Sequence, residues 1–157
     1  MYQRILVPID GSDGAMLALD KAIELAHLMH ADMQAVFVVE HRAQTVDLTE
    51  NFVEPMVPDD DTASRTATSV LDDARERFAR AHIAGSTRAI DSYGDGVAVV
   101  LTRAIEDFSA DLVVMYSHGR RGLKRLLAGS VSESLLRDTT VPLLLLRDRA
   151  DVAVGNR

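Results

Sequence analysis

The chain has 157 residues and a formal net charge of −7, and its 47% hydrophobic and 26% charged residues are typical of one globular domain with a full core. The absence of cysteine excludes a disulfide framework and thiolate metal sites. The acidic balance argues against a nucleic-acid surface; no apolar run approaches the roughly 20 residues that cross a bilayer and no signal-peptide pattern is present, so we expect a cytoplasmic protein without membrane insertion.

The first 40 residues predict a strand, a helix and a second strand. Residues 5–9 form a continuous apolar run, which is typical of a strand buried on both faces of a parallel sheet. Ser12 is a candidate helix N-cap, and apolar residues then recur at helical spacing from Leu19 to Met29. A second apolar run, residues 33–39, predicts the second strand.

The middle of the chain begins with an irregular segment, residues 40–61, which contains Pro55, Pro58 and an acidic triplet. Such a segment in a compact domain is either a functional lid or mobile, and the sequence leaves both readings open. Helical spacing follows over residues 62–84. We expect the charged residues of that helix to face water: Arg75, Glu76, Arg77 and Arg80.

The second half of the chain continues the alternation. Residues 86–91 predict a strand that is less apolar than the others and therefore closer to an edge of the sheet, and residues 97–108 predict an amphipathic helix. Residues 112–115 form an apolar strand that leads into a glycine loop and a helix start. A fifth strand follows over residues 141–147, and residues 148–157 are expected to form a flexible tail.

This order of elements predicts a doubly wound α/β fold, flavodoxin- or Rossmann-like, in a single domain over residues 1–147. We expect five parallel strands in the order 3-2-1-4-5 with helices on both faces. The first and fourth strands are then neighbours, and ligands bind in the crevice at the carboxyl ends of such a pair. The crevice is expected between residues 9–11 and residues 116–119.

The loop after the fourth strand combines glycines with four basic residues in an acidic chain. Glycines let the backbone approach an anion closely, and the first N–H groups of a helix have no partner inside the helix. The loop therefore predicts a local anion site. The four basic residues are Arg120, Arg121, Lys124 and Arg125.

The fifth strand contains four consecutive leucines after Pro142. At an edge of the sheet it would leave apolar side chains and a hydrogen-bonding ladder open to water. Pairing with the same strand of a second copy across a two-fold axis removes this exposure. We therefore expect a homodimer through the stretch from Val141 to Arg147.

Several segments together resemble the universal stress protein family over nearly the whole chain, although any one of them alone would be unspecific. The resemblance implies the predicted strand order, a dimer through the last strand and a regulatory role in stress response towards an unidentified partner protein. For the nucleotide-binding branch of the family it also implies a site for ATP or AMP. The segments are Ile-Leu-Val-Pro-Ile-Asp-Gly-Ser at 5–12, Ala-Asp-Leu-Val-Val-Met at 110–115, Ser-His-Gly-Arg at 117–120 with Gly122 and Leu123, Leu-Leu-Ala-Gly-Ser-Val-Ser at 126–132, and Val-Pro-Leu-Leu at 141–144.

The nucleotide-binding branch carries the pattern Gly-x2-Gly-x9-Gly-Ser/Thr, which this chain matches except at its first position. Gly119 is the second glycine, nine residues separate it from Gly129, and Ser130 follows. Tyr116 stands where the pattern has its first glycine. The tyrosine side chain either narrows the pocket or points away from it, and the sequence does not decide between the two.

The resemblance also implies roles for individual residues. Asp10 would accept hydrogen bonds from the ribose hydroxyls, and Val38 would pair with the adenine edge through its backbone. The phosphates would lie among N–H groups and hydroxyls of the glycine loop and the following helix start, with Mg²⁺ as an optional bridge between them. The full predicted set is Pro8, Ile9, Asp10, Val38, Met115, Tyr116, His118, Gly119, Arg120, Gly129, Ser130, Val131 and Ser132.

Plainer interpretations of the same residues stay open. Ser130 and Glu133 also fit a capping box, Asp10 also fits a turn, and His118 has neither a catalytic triad nor metal-ligand spacing around it. We therefore predict no catalytic residue and no protein metal site, and the missing Walker lysine argues against P-loop phosphoryl transfer. Besides a nucleotide-binding regulator, the alternatives are a slow ATP hydrolase and a scaffold dimer that binds no nucleotide.

Overall fold

In the parts of the chain that the computed structural model describes, residues 1–40, 60–117 and 131–147, strands and helices alternate as the sequence predicts. The irregular segment falls mostly outside these parts, as do the glycine loop and the tail. The elements in chain order are β1 (Arg4–Pro8), α1 (Asp13–Met29), β2 (Asp32–Val39), α2 (Asp60–Arg80), β3 (Gly85–Asp91), α3 (Val97–Phe108), β4 (Leu112–Tyr116), α4 (Val131–Asp138) and β5 (Leu143–Leu146).

The five strands form one parallel sheet in the order β3-β2-β1-β4-β5, which confirms the predicted doubly wound topology. β1 lies at the centre, and its three middle residues, 5–7, are buried because helices cover both faces. β3 is an outer strand and is more exposed than β1 and β4, as its weaker apolar pattern predicts. The other outer strand is β5.

Side chains alternate across the sheet and separate into two cores. The α1/α2 core holds one set of strand residues, such as Ile5 and Val114, against α1 and α2. The α3/α4 core holds the other set, such as Leu6 and Val113, against α3 and α4. The two cores lie on opposite faces of the sheet, so consecutive residues of β1 and β4 contribute to both.

Two helix ends are set by residues in the left-handed conformation. His30 has φ 54° and its N–H bonds to the carbonyl of Ala26, which ends α1. His82 has φ 52°, so α2 ends at Arg80 rather than at the predicted residue 84. At its other end α2 begins within the acidic triplet, two residues earlier than the prediction.

Arg77 corrects the expectation that the charged residues of α2 all face water. Its side chain is 28% exposed and lies between two carboxylates, with Nη1 2.6 Å from Asp20 Oδ1 and Nη2 3.1 Å from Asp73 Oδ2. The hydrogen bonds with Asp20 and Asp73 raise the pKa of Arg77, so the group is charged at all ordinary pH values. Because Asp20 belongs to α1, this ion pair ties the two helices together.

None of the helices in residues 1–40, 60–117 and 131–147 is long and apolar enough to cross a bilayer.

Candidate functional site

β1 and β4 pair only over their first halves, and this leaves a crevice between their carboxyl ends. The paired residues are Ile5 with Leu112 and Leu6 with Val113. β1 stays paired with β2 along its whole length, from Arg4 to Pro8. The chain then leaves the two strands towards opposite faces, to α1 after β1 and to α4 after β4. The two central strands therefore separate at the predicted switch point.

The turn from β1 to α1 forms one side of this opening. Asp10 is exposed, and its Oδ1 accepts a hydrogen bond from the Ser12 N–H at 2.9 Å. Ser12 is the N-cap that the sequence predicts, since its Oγ accepts from the Ala15 N–H at 3.2 Å. Gly11 has φ +81°, a conformation that favours glycine. A Cβ at this position would in addition lie 2.8 Å from Val70 Cγ2. The turn therefore holds the Asp10 carboxylate at the mouth of the crevice.

Val38 presents its backbone to the same opening. The Ile9 N–H donates to the Val36 carbonyl at 2.8 Å, so the backbone groups of Val36 face β1. Residues two apart on a strand have the same orientation, and Val38 therefore also directs its N–H and C=O towards the β1 side. At that level β1 has already turned away at Asp10. The Val38 backbone edge thus lies beside the space that the turning chain leaves.

Tyr116 ends β4, and its side chain lies on the α1 side of the sheet. Its ring packs against the α1/α2 core. A Cβ built on Gly14, in the first turn of α1, would lie 2.4 Å from Tyr116 Cδ1 and 2.6 Å from Cγ. The Tyr116 ring therefore packs against the first turn of α1.

α4 follows β4 and packs on the face of the sheet opposite α1, and its first described residue is Val131. Ser132 is buried, and Glu133 places an acidic group in the first turn. Met115, which precedes the crevice on β4, contributes its side chain to the α3/α4 core. Met115 and the described start of α4 therefore belong to the same face of the sheet.

The described part of the predicted set gathers at the carboxyl edge of the sheet, at or next to the ends of β1, β2 and β4 and the start of α4. Pro8, Ile9, Asp10, Val38, Met115, Tyr116, Val131 and Ser132 all lie there. His118, Gly119, Arg120, Gly129 and Ser130 fall outside the described residues, as does the Ser130 member of the possible capping box.

Sequence reasoning did not find Gly14. A glycine in the first turn of a helix is a weak signal, because glycine is the poorest helix former after proline. Its role depends on contact with a residue 102 positions away, and no local pattern reports that contact. Within the described ranges no group of three His, Asp or Glu residues is placed to hold a metal ion.

Comparison with known proteins gives a consistent result. A family model described as the universal stress protein family matches residues 1–147. Universal stress protein YxiE of Bacillus subtilis is 29% identical over 154 residues, which cover 94% of this chain and 100% of that protein.

Solved structures of this family also have the same fold. A universal stress protein family member from Burkholderia pseudomallei has a TM-score of 0.71 and 34% identity, covering 92% of this chain and 96% of that one. A universal stress protein in complex with cAMP has a TM-score of 0.68, 20% identity and coverage of 92% and 97%. The universal stress protein from Archaeoglobus fulgidus in complex with dAMP has a TM-score of 0.65 and 19% identity, covering 92% of this chain and 97% of that one. A universal stress protein family member from Arabidopsis thaliana with AMP bound has a TM-score of 0.66 and 14% identity, covering 98% of this chain and 97% of that one.

Proposed function

The chain belongs to the universal stress protein family, and on that premise we propose that it is a cytoplasmic stress-response regulator that binds ATP or AMP and acts as a homodimer. The nucleotide would lie in the crevice between β1 and β4. The observation that carries the proposal is the short pairing of these two strands, which ends before the exposed Asp10 on the β1 side. Structures of related proteins with AMP, dAMP and cAMP support an adenine nucleotide as the ligand.

The nucleoside end is assigned to the β1 side. The turn holds Asp10 through one carboxylate oxygen, Oδ1, so Oδ2 is suited to accept a hydrogen bond from a ribose hydroxyl. The Val38 N–H and C=O offer a donor and an acceptor side by side, which matches the edge of adenine. Pro8, Ile9 and Met115 would lie behind these contacts as apolar residues of the strand ends.

The phosphate end is assigned to the α4 side. α4 is the helix that follows the glycine loop, and the positive end of a helix dipole attracts anions. The glycine-loop residues of the family pattern would complete the contacts. A bridging Mg²⁺, if present, would be held by phosphate oxygens and water, since the described residues bring no carboxylate cluster to this end. The loop residues are His118, Gly119, Arg120, Gly129 and Ser130.

The homodimer is proposed to form through β5. β5 is an outer strand that pairs with β4 on one side, and Leu144 is 39% exposed in the isolated chain. A second copy of β5 would cover the open ladder and the leucine together. Sedimentation equilibrium at micromolar concentration should give twice the mass of the chain, and a single monomer mass would contradict this part of the proposal.

Thermal unfolding in millimolar ATP with Mg²⁺ tests nucleotide binding. Since a ligand of the folded state stabilises by about 2.7 kcal/mol at a hundred times its Kd, we expect the melting temperature to rise by several degrees. Gly129→Asp replaces the third glycine of the family pattern with an acidic residue and should abolish the rise. A wild-type melting temperature that ATP, AMP and Mg²⁺ all leave unchanged would favour the scaffold dimer instead. Phosphate release that depends on both Asp10 and His118 would favour the hydrolase.

A further inference from the structure

We propose that Gly14 is a positioning residue of the nucleotide site, because its missing side chain forms the recess that keeps the Tyr116 ring out of the crevice. The inference rests on the proposed nucleotide binding and concerns how this chain keeps the site open despite a tyrosine at the first glycine position of the family pattern. Gly14 and Tyr116 would then be a matched pair.

The contact between the two residues is too close for any other amino acid at position 14. A Cβ on Gly14 would lie 2.4, 2.5 and 2.6 Å from Cδ1, Cε1 and Cγ of Tyr116, whereas real Cβ atoms stay beyond 3.0 Å from such atoms. Cγ is bonded directly to the Tyr116 Cβ, so the clash involves the base of the ring as well as its edge. A small rotation of the ring about its own axis therefore cannot relieve it.

Backbone conformation does not explain the glycine. Gly14 is not among the residues with positive φ, unlike Gly11 and Gly94. It also lies inside α1, where glycine is a poor helix former. What position 14 requires is space, and the Tyr116 ring occupies that space.

If the ring were forced from the recess, its described neighbours would leave it the carboxyl edge of the sheet, where we place the crevice. Val114, two residues earlier on the same face, is fully buried in the α1/α2 core and blocks movement towards the amino end of the sheet. Leu146 is the register partner of Tyr116 on β5 and packs on the same core. Ile9, on the β1 side, is 4% exposed. Tyr116 is the last residue of β4, so these neighbours confine the ring on every side except towards the carboxyl edge.

The test measures ATP affinity with Mg²⁺ by titration calorimetry in a double-mutant cycle. Gly14→Ala should displace the ring and raise the Kd by about tenfold or more, the effect of a blocked contact surface. In a Tyr116→Gly background, Gly14→Ala should no longer raise the Kd, because no ring remains to be displaced. Such coupling between the two positions is what a cycle isolates.

Gly85→Ala is the matched control. A Cβ on Gly85 would lie 2.3 Å from Phe78 Cδ2, an equally severe collision with an aromatic ring. Gly85 begins β3 and therefore lies at the amino edge of the sheet, away from the crevice. Gly85→Ala should lower the melting temperature but leave the Kd for ATP unchanged.

Wild-type ATP binding with an unchanged Kd in Gly14→Ala would overturn the inference while the proposed function stands. An equal loss of affinity in Gly14→Ala and Gly85→Ala would also overturn it, as would a loss that persists in the Tyr116→Gly background. No ATP binding by the wild type would refute the proposed function and the inference with it.

A second measurement does not require the Gly14 variant to fold. The chain has three tyrosines and no tryptophan, so Tyr2→Phe with Tyr93→Phe leaves Tyr116 as the only emitting residue. Quenching by acrylamide should be weak and should not change when ATP is added, because the ring lies in the recess in both states. A ring that acrylamide reaches freely, and that ATP then shields, would lie in the crevice and contradict the proposal.

Discussion

The two edges of the sheet use their polar groups differently. At the amino edge the Asp111 carboxylate accepts the N–H groups of Gln3 and Arg4, each at 2.8 Å, and the Arg4 guanidinium lies 4.5 Å from the centre of the Phe108 ring. At the carboxyl edge β1 and β4 are no longer paired, and Asp10 is exposed at the opening. The comparison shows that similar carboxylates complete the fold at one edge and are presented outward at the other.

Asp111→Ala, at the amino edge, should have the largest effect of the three substitutions, and it should lower only the free energy of unfolding. The substitution leaves two backbone N–H groups without their charged acceptor, so we expect the free energy of unfolding to fall by about 2 kcal/mol. Urea unfolding followed by circular dichroism measures this free energy. Asp107→Ala, which removes an exposed ion pair with Arg88, should cost less than about 1 kcal/mol. Similar losses in the two variants would remove the distinction drawn for the amino edge.

Asp10→Ala should have an intermediate effect, on affinity. Losing the acceptor for a ribose hydroxyl should raise the Kd for ATP about tenfold, equivalent to about 1.4 kcal/mol. Titration calorimetry measures this, with Asp13→Ala as the control, because Asp13 is an exposed carboxylate three residues later in the first turn of α1. An Asp10 variant that binds ATP as tightly as wild type would show that its carboxylate serves only the turn.

Ser12→Ala should have the smallest effect and tests whether the carboxyl edge also contributes to folding. Removing the cap on the Ala15 N–H should lower the free energy of unfolding by about 1 kcal/mol. Ser12→Asn keeps an acceptor at the N-cap and should stay close to wild type in the same urea experiment. If both variants lost the same stability, the cap would not be the cause.

The sequence predicts the fold well because each element has a strong local pattern. The apolar runs of β1 and β4 and the helical spacing of α1 and α3 depend on neighbours in the chain, and right-handed crossovers then restrict the strand order. The predicted end of α2 is four residues too late, because the left-handed conformation of His82 has no clear sequence signal. The sequence predicts that Arg77 faces water, because its partner Asp20 lies on another helix and the local pattern does not report that contact.

The site was predicted less completely than the fold, for a related reason. Asp10 and Ser12 follow a strand directly, so their position at its carboxyl end can be read from the chain. The orientation of Tyr116 depends on Gly14, which comes near it only after α1 has packed on the sheet. Sequence alone could identify the unusual tyrosine but could not identify the residue that accommodates it.

The short pairing of β1 with β4 also divides the sheet mechanically. One part consists of β3, β2 and β1, the other of β4 and β5, and two register pairs join them. α1 packs on both central strands and bridges the division. A molecule bound across the opening would fasten the two parts together, so amide hydrogens in both should exchange with solvent more slowly and more nearly in step once it is bound.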